Sequence, residues 1–201
     1  MRLLRYDEKT MLTHRKEIIT RVVHNRQSGL LVVLEDIHDP HNAAAILRTC
    51  DAMGIQNVWF VFEKEKQYNP KRVGKSSSSS ANKWLDFRIF RDTLSCFKTL
   101  KQKGYISIAT ALTDNSESLG AAKFPEKKIA LWVGNEHAGL SDTEVKNADR
   151  VIQITMRGFV QSLNVSVATA ITLWEITKQR GNTYPLSEKE NKKLLEDFSK
   201  R

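Results

Sequence analysis

Residues 156–168 read MRGFVQSLNVSVA, a polar loop that runs directly into an apolar helical pattern. Far upstream, residues 41–48 read HNAAAILR and open another helical pattern in the same way. Between the two, residues 133–141 read VGNEHAGLS and follow an apolar run. Loops rich in hydrogen-bonding groups on a rigid scaffold are typical of ligand-binding and catalytic sites. We therefore treat these three stretches as the candidate functional segments.

Strand-sized apolar runs alternate with helical patterns along the rest of the chain. Residues 30–34 read LLVVL, a run typical of a strand that is buried on both faces of a parallel sheet. Further strands are predicted at 58–62, 87–90, 105–112, 129–133 and 151–155, and helices at 43–53, 92–103, 141–148 and 165–179. The pattern predicts one α/β domain over residues 1–201, with an open, mostly parallel sheet. A basic helical arm at 1–28 and a basic helical tail at 182–201 flank it.

Three local patterns make narrower predictions. Ser141 and Ser187 each precede a glutamate by three residues, a capping-box pattern at the start of a helix. The charged, serine-rich stretch at 63–82 predicts a mobile surface loop. One face of the helix at 165–179 carries the apolar or small residues Val167, Ala168, Ile171 and Trp174.

Composition excludes several classes of protein. The chain has 201 residues, of which 40% are hydrophobic and 27% charged, as in a globular domain. No apolar run approaches the ~18 residues of a membrane span, and the N-terminus has no signal-peptide pattern. Cys50 and Cys96 are far apart, so neither a disulfide framework nor a zinc site is indicated. These features predict a cytoplasmic protein.

The net charge of +9 favours a polyanionic partner, with nucleic acid ahead of a membrane surface. Residues 1–28 hold seven Lys and Arg against three acids, and residues 178–201 hold seven against four. Both ends of the chain therefore suit arms that grip a phosphate backbone.

The first candidate segment follows the strand at 30–34. His38 and His41 lie in its loop and are either metal ligands or solvated histidines. Arg48 is the only charge within residues 43–50, on an otherwise apolar helix. Its guanidinium is either a helix-surface cation or is held for a specific partner.

The other two segments have structural and functional interpretations. The glycines at 134–139 allow close backbone approach, and Glu136 is a possible acceptor, although an ordinary strand-to-helix turn would look similar. The segment lacks the Lys-Ser/Thr of a phosphate loop, and the chain has no GxGxxG. Ser162 has no GxSxG around it, which disfavours a hydrolase nucleophile. Asn164 is either a ligand-facing amide or a helix N-cap.

In wording and spacing, the three segments resemble the three motifs of the SpoU/TrmH class of SPOUT RNA 2′-O-ribose methyltransferases. The resemblance covers roughly residues 15–185, and the basic ends are most similar to those of the TrmH subgroup. That subgroup methylates the ribose 2′-hydroxyl of a guanosine in the tRNA D-loop. Methylation of ribosomal RNA, methylation of another tRNA position, and a catalytically silent RNA-binding relative remain open as alternatives.

The resemblance implies a SPOUT fold with a C-terminal trefoil knot, which general folding rules would not suggest. It implies a homodimer that acts on tRNA and binds S-adenosylmethionine, without a metal. The implied cofactor-binding residues are Thr110, Ala111, Leu112, Val133, Gly134, Asn135, Ile152, Ile154, Met156, Ser162 and Leu163.

By the same resemblance Arg48 is the catalytic residue. Because arginine keeps its proton in proteins, we expect a cation that lowers the pKa of the hydroxyl, and not a base. Asn42, Glu136, Ser162 and Asn164 are expected to orient the reactants. The proton acceptor is left open between a substrate phosphate and water. Two positions differ from the family pattern: the serine run at 76–80 has fewer glycines, and Arg157 replaces an apolar residue.

Overall fold

The computed structural model describes residues 8–73 and 81–201, with side chains from residue 12 onward. The serine run at 76–80 lies outside the described residues.

A seven-stranded sheet forms the centre of the described structure. Its strands are β1 (Leu30–Glu35), β2 (Asn57–Val61), β3 (Asp86–Phe90), β4 (Ile106–Thr110), β5 (Glu117–Ser118), β6 (Ile129–Val133) and β7 (Arg150–Gln153). They lie in the order β3-β2-β1-β6-β4-β7-β5, and every neighbouring pair is parallel. The predicted α/β class with an open parallel sheet is confirmed, whereas the trefoil knot stays a prediction.

Six α-helices accompany the sheet within the described residues. They are α1 (Glu8–His24), α2 (Pro40–Ala52), α3 (Thr93–Gln102), α4 (Asp142–Asn147), α5 (Val165–Arg180) and α6 (Glu188–Lys200). None of these helices combines the length and the apolar character that crossing a bilayer requires.

The sheet is buried on both faces, as the run at 30–34 predicts. Leu30, Val32 and Leu34 of β1 pack into the apolar cluster that holds α2 and α5. Leu31 and Val33 point the other way, into the cluster that contains residues of α3 and flanks α4. The burial of successive residues on opposite faces explains why β1 shows no alternation of polar and apolar residues.

The two terminal helices pack against each other. Ile19 and Val23 of α1 meet Leu194 and Phe198 of α6 in a small apolar cluster, and the Trp84 ring packs at a tilt against Phe198. The predicted capping box of α6 is present in both directions, from the Ser187 side chain and from Glu190. Helices α1 and α6 are thus one paired unit.

The structure corrects the prediction of a mobile loop at 63–82 in the part that it describes. Pro70 and Val73 are buried, and Tyr68 packs edge-on against Phe62 at a ring distance of 4.8 Å. The Asn82 amide is also buried and donates to the carbonyl of Pro70. The stretch contains so many charged residues that its composition does not indicate these buried contacts.

The apolar face predicted for α5 is the exposed one. Trp174 is 60% exposed and Val167 46% exposed, whereas Thr169, Thr172, Leu173 and Ile176 turn to the sheet. Threonine can bury its methyl group while its hydroxyl bonds to the preceding helical turn, as Thr169 does with the Val165 carbonyl. Because threonine was counted as polar, the sequence pattern did not indicate that the face with Thr169 and Thr172 is buried.

Candidate functional site

The candidate segments converge at the carboxyl edge of the sheet, where parallel α/β sheets usually bind ligands. A cleft of about 500 Å³ opens beside the ends of β4, β6 and β7. Its walls include the loop after β6 and the residues that precede α5. Two of the three segments therefore line one cavity, and the third reaches it through hydrogen bonds described below.

Most of the predicted cofactor-binding residues line this cleft. They are Thr110, Ala111, Leu112, Gly134, Asn135, Ile152, Ile154, Met156, Ser162 and Leu163. Val133 does not line it, because it is the last residue of β6 and packs in the apolar cluster beneath α2 and α5. Val133 is thus the one residue of this set outside the cleft lining, and the cofactor-binding role of the whole set stays a prediction.

The loop after β6 is held in a tight backbone pairing. The amides of Asn135 and Gly139 each donate to the other residue's carbonyl, over 2.9 and 3.0 Å. A Cβ on Gly134 would lie 2.3 Å from the Gly139 carbonyl carbon, so only glycine fits there. The Asn135 side chain accepts from the amides of His137 and Ala138 and donates to the Asp36 carbonyl. The loop is thereby fixed to the end of β1.

A chain of side-chain hydrogen bonds links the three segments. The Asn164 amide donates to Asn42 Oδ1 over 3.0 Å, and the Asn42 amide donates to Glu136 Oε1 over 2.9 Å. Residues that are distant in sequence thus meet because β1, β6 and β7 end at the same edge. Three of the residues predicted to orient the reactants are in direct contact.

Glu136 is an ionised anchor for the loop before α2. Its two oxygens also accept the backbone N–H groups of His38 and Asp39, over 3.0 and 3.1 Å. Partial burial favours the neutral acid, but the bond from Asn42 and the backbone donors outweigh it and lower the Glu136 pKa. Because its oxygens already accept three hydrogen bonds from the protein, the carboxylate is poorly suited to accept a proton from a substrate.

Helix α2 begins three residues before the predicted start. Asp39 is its N-cap and accepts from the His41 amide over 2.8 Å, while Pro40 occupies the first turn, where it costs no hydrogen bond. Arg48 lies on the exposed face of α2 with His41 and Ala45. Among the described residues, its guanidinium has no hydrogen bond or ion pair, so it is free to meet a substrate.

The N-cap interpretation of Asn164 is confirmed, whereas its ligand-facing role stays a prediction. Its Oδ1 accepts from the backbone amide of Ser166 over 2.8 Å and so caps α5, while its amide reaches Asn42. Ser162 lies two residues earlier and lines the cleft.

The metal-ligand interpretation of His38 and His41 gains no support. Within 8–73 and 81–201, no three His, Cys, Asp or Glu side chains are grouped to hold a metal ion. His38 instead pairs with Glu65, whose Oε2 lies 2.9 Å from Nδ1.

Comparison with known proteins identifies the family of this site. The profile of the SpoU rRNA Methylase family matches residues 29–174, which contain all three candidate segments. The chain belongs to the SpoU methylase family. The predicted family and the predicted methyltransferase class are therefore confirmed.

Individual relatives agree with this assignment. The tRNA (guanosine(18)-2′-O)-methyltransferase of Thermus thermophilus is 38% identical to this SpoU methylase, over 83% of each chain. The crystal structure of the Aquifex aeolicus TrmH/SpoU tRNA modifying enzyme superposes with a TM-score of 0.84 at 31% identity, over 94% of this chain and 97% of that one. An AdoMet-bound rRNA methyltransferase of Sinorhizobium meliloti gives a TM-score of 0.67 at 25% identity, over 79% and 59%.

The sequence did not reveal two contributors to this SpoU methylase site. Leu119 follows the two-residue strand β5 and lines the cleft, but so short an edge strand leaves no periodic signal. Asp36 is nearly buried and holds the loop after β2 through its carboxylate. The position of Asp36, directly after a buried strand, is the one sequence feature that could have indicated its role.

Proposed function

We propose that this SpoU methylase transfers the methyl group of S-adenosylmethionine to the ribose 2′-hydroxyl of a D-loop guanosine, at tRNA position 18. The observation that carries the proposal is the hydrogen-bonded chain Asn164–Asn42–Glu136, which joins the three segments at the cleft. The Thermus thermophilus relative is named for this reaction.

The cleft fits S-adenosylmethionine in size and character. Its volume falls within the range of roughly 300–1,000 Å³ typical of small-molecule sites. Ile152 and Ile154 offer apolar surface to a base, whereas Asn135 and Ser162 offer polar groups. The cofactor supplies a methyl group on a sulfonium, which is strongly electrophilic before the protein acts on it. The Sinorhizobium meliloti relative, whose structure contains AdoMet, supports this choice.

The residues of the protein act on the ribose hydroxyl, which is a weak nucleophile. Arg48 remains a cation at working pH and stabilises the negative charge that develops on the hydroxyl oxygen, while it also fixes an adjacent phosphate. Asn42, Glu136, Ser162 and Asn164 align the hydroxyl for in-line displacement. Because the reacting group is a 2′-hydroxyl, the chemical step selects RNA over DNA.

The paired terminal helices supply the main RNA-binding surface in this proposal. Arg15, Lys16 and Arg21 are exposed on α1, and Lys192 and Lys193 are exposed on α6. Pairing through apolar residues leaves these cations free for phosphates.

A second copy of the chain covers the exposed face of α5 in this proposal. Trp174 is 60% exposed, Val167 46% and Ile171 39%, a row of large apolar side chains that favours a protein interface. The same helix begins at Asn164, so a partner there would lie close to the cleft.

The remaining assignments follow from the same picture. Cys50 and Cys96 are free thiols, as is usual in a reducing compartment, and a tRNA substrate is met in the cytoplasm. We therefore propose a cytoplasmic enzyme whose residues 1–201 form a single domain.

The direct test is transfer of labelled methyl from S-adenosylmethionine to unmodified tRNA, followed by nuclease mapping of the labelled ribose. A single 2′-O-methylguanosine at position 18 is expected. Label in ribosomal RNA or elsewhere in tRNA would correct the substrate, and cofactor binding without any transfer would favour a silent RNA-binding relative.

A matched pair of asparagine variants tests the network. Asn42→Ala removes the link between Asn164 and Glu136 and should lower the transfer rate. Asn147→Ala should leave the rate unchanged, because this exposed asparagine of α4 bonds only to the Thr143 carbonyl among the described residues.

A further inference from the structure

A strained residue at the end of β1 organises the loop that follows β2. Asp36 has a φ of 50°, in the left-handed region that residues other than glycine rarely adopt. Its carboxylate accepts the amides of Glu63, Lys64 and Glu65, over 2.8, 3.1 and 3.1 Å. Strain of this kind persists where the surroundings fix it, often at functional sites. Here it fixes the position of Glu65.

Glu65 in turn holds the imidazole of His38. Glu65 Oε2 lies 2.9 Å from His38 Nδ1, so the proton on Nδ1 is donated to the carboxylate. This leaves Nε2 as the free acceptor of a neutral ring. The His38 side chain is 63% exposed, and within the described residues Nε2 has no partner. The geometry is that of a histidine base oriented by a carboxylate.

His38 lies beside the site, because its backbone N–H donates to Glu136 over 3.0 Å. Glu136 lines the cleft and also holds Asn42. His38 is therefore tied to the same carboxylate that orders the catalytic segment.

The other candidates for a proton acceptor are less suitable. Arg48 is a permanent cation, and the oxygens of Glu136 already accept three protein donors. His41 and His137 are exposed near the site, but in the described part of the chain neither ring contacts a carboxylate. His38 alone among these three histidines has a ring that is fixed in one orientation.

We propose that His38, oriented by Glu65, is the general base that takes the proton of the ribose 2′-hydroxyl. The hydroxyl oxygen bonds to the methyl carbon, the carbon–sulfur bond breaks with its electron pair left on sulfur, and the hydroxyl proton passes to His38 Nε2. Solvent then takes the proton from the imidazolium. This inference rests on the proposed function and assigns the acceptor that its chemistry requires.

The charges around His38 suit this role. The hydrogen bond and the charge of Glu65 raise the pKa of His38 above its ordinary 6.5. Burial opposes this by less than Glu65 contributes, and the charges of Glu136 and Asp39 add still smaller raising effects. A raised pKa makes the neutral imidazole a stronger proton acceptor. Since only the neutral ring accepts a proton, the rate should rise as the pH rises through the His38 pKa.

The test measures single-turnover methyl transfer to tRNA from pH 5.5 to 9 with saturating enzyme. His38→Gln should lower the plateau rate by about 100-fold or more and abolish the inflection. Glu65→Gln should move the inflection to lower pH, because it removes the charge that raises the pKa. Asn147→Ala is the control: this exposed asparagine of α4 bonds only to the Thr143 carbonyl among the described residues, and its loss should leave the pH profile unchanged.

Two further measurements separate catalysis from structure. Calorimetry with S-adenosylmethionine should give the same affinity for wild type and His38→Gln. Titration of ¹⁵N-labelled histidines by NMR should show a raised His38 pKa that falls in Glu65→Gln, without any need for turnover. A His38→Gln enzyme that keeps the wild-type rate and inflection would overturn the inference while the proposed function stands. A wild-type enzyme that methylates no RNA would refute the proposed function, and this step with it.

Discussion

Glu144 is the most informative single position for a test of the structure. It lies in α4 with 0% of its surface exposed, and among the described residues neither carboxyl oxygen has a hydrogen-bond partner. Ser141 caps the helix by accepting the Glu144 amide, but the glutamate side chain does not return the bond that the capping-box pattern predicts. Burial, followed by the nearby charge of Glu35, raises the pKa of Glu144 to about 8.

The size of the effect follows from proton linkage. The native carboxyl holds its proton up to about pH 8, whereas the unfolded one releases it near 4.5. The native state therefore binds more protons over this window, so the free energy of unfolding falls as the pH rises from 4.5 to 8. Between pH 4.5 and 7, at about 1.4 kcal/mol per pH unit, the loss reaches about 3 kcal/mol.

Glu144→Gln keeps the size of the side chain but is neutral in both states. It should therefore remove the pH slope and raise stability at pH 7 by up to about 3 kcal/mol, less the cost of one more unpaired N–H. The assay is urea unfolding at pH 5, 6, 7 and 8. Glu196→Gln, on the exposed side of α6, is the control and should change neither quantity. A Glu144→Gln protein with the wild-type slope would show that the carboxyl is charged and paired in the native state.

Three further outcomes test the site and the interface. Arg48→Ala should abolish methyl transfer and leave calorimetric binding of S-adenosylmethionine unchanged; lost binding in a folded variant would show that Arg48 has another role. Gly134→Ala should destabilise the fold by about 1–3 kcal/mol in thermal unfolding, since its Cβ meets backbone at 2.3 Å, whereas Gly120→Ala has open space and should be neutral. Trp174→Glu should give a monomer in light scattering if α5 is the dimer face, and an unchanged mass would exclude that face.

The sequence predicted the sheet well because its signals are local. The run at 30–34 has no polar residue, and burial on both faces is the arrangement that needs none. Asp92 and Ser187 likewise cap the helices that they were expected to start. Such patterns depend on a few neighbouring residues, so contacts with distant parts of the chain do not change the structure that they predict.

Predictions failed where the outcome depends on distant residues. Val167 and Trp174 form the most apolar stripe of α5, yet α5 turns its threonines to the sheet and leaves the stripe exposed. A hydrophobic helix face is usually buried, but the sequence pattern does not indicate whether it packs inside its own chain or against a partner. The same helix is the surface that we propose for a second copy, so the pattern and the monomer structure are compatible.

The candidate site shows the same division between local and distant determinants. Parallel strands bring their carboxyl ends to one edge, so the convergence of the three segments follows from the fold class alone. The pairing of Asn42 with Glu136 does not, because it depends on a backbone that only the folded loops define. Asp36 sets that backbone: its left-handed conformation and its carboxylate position the loop carrying Glu65. The carboxylate of Asp36 accepts three backbone amides, and no sequence pattern indicates such a role. The position of His38 nevertheless depends on it, through Glu65.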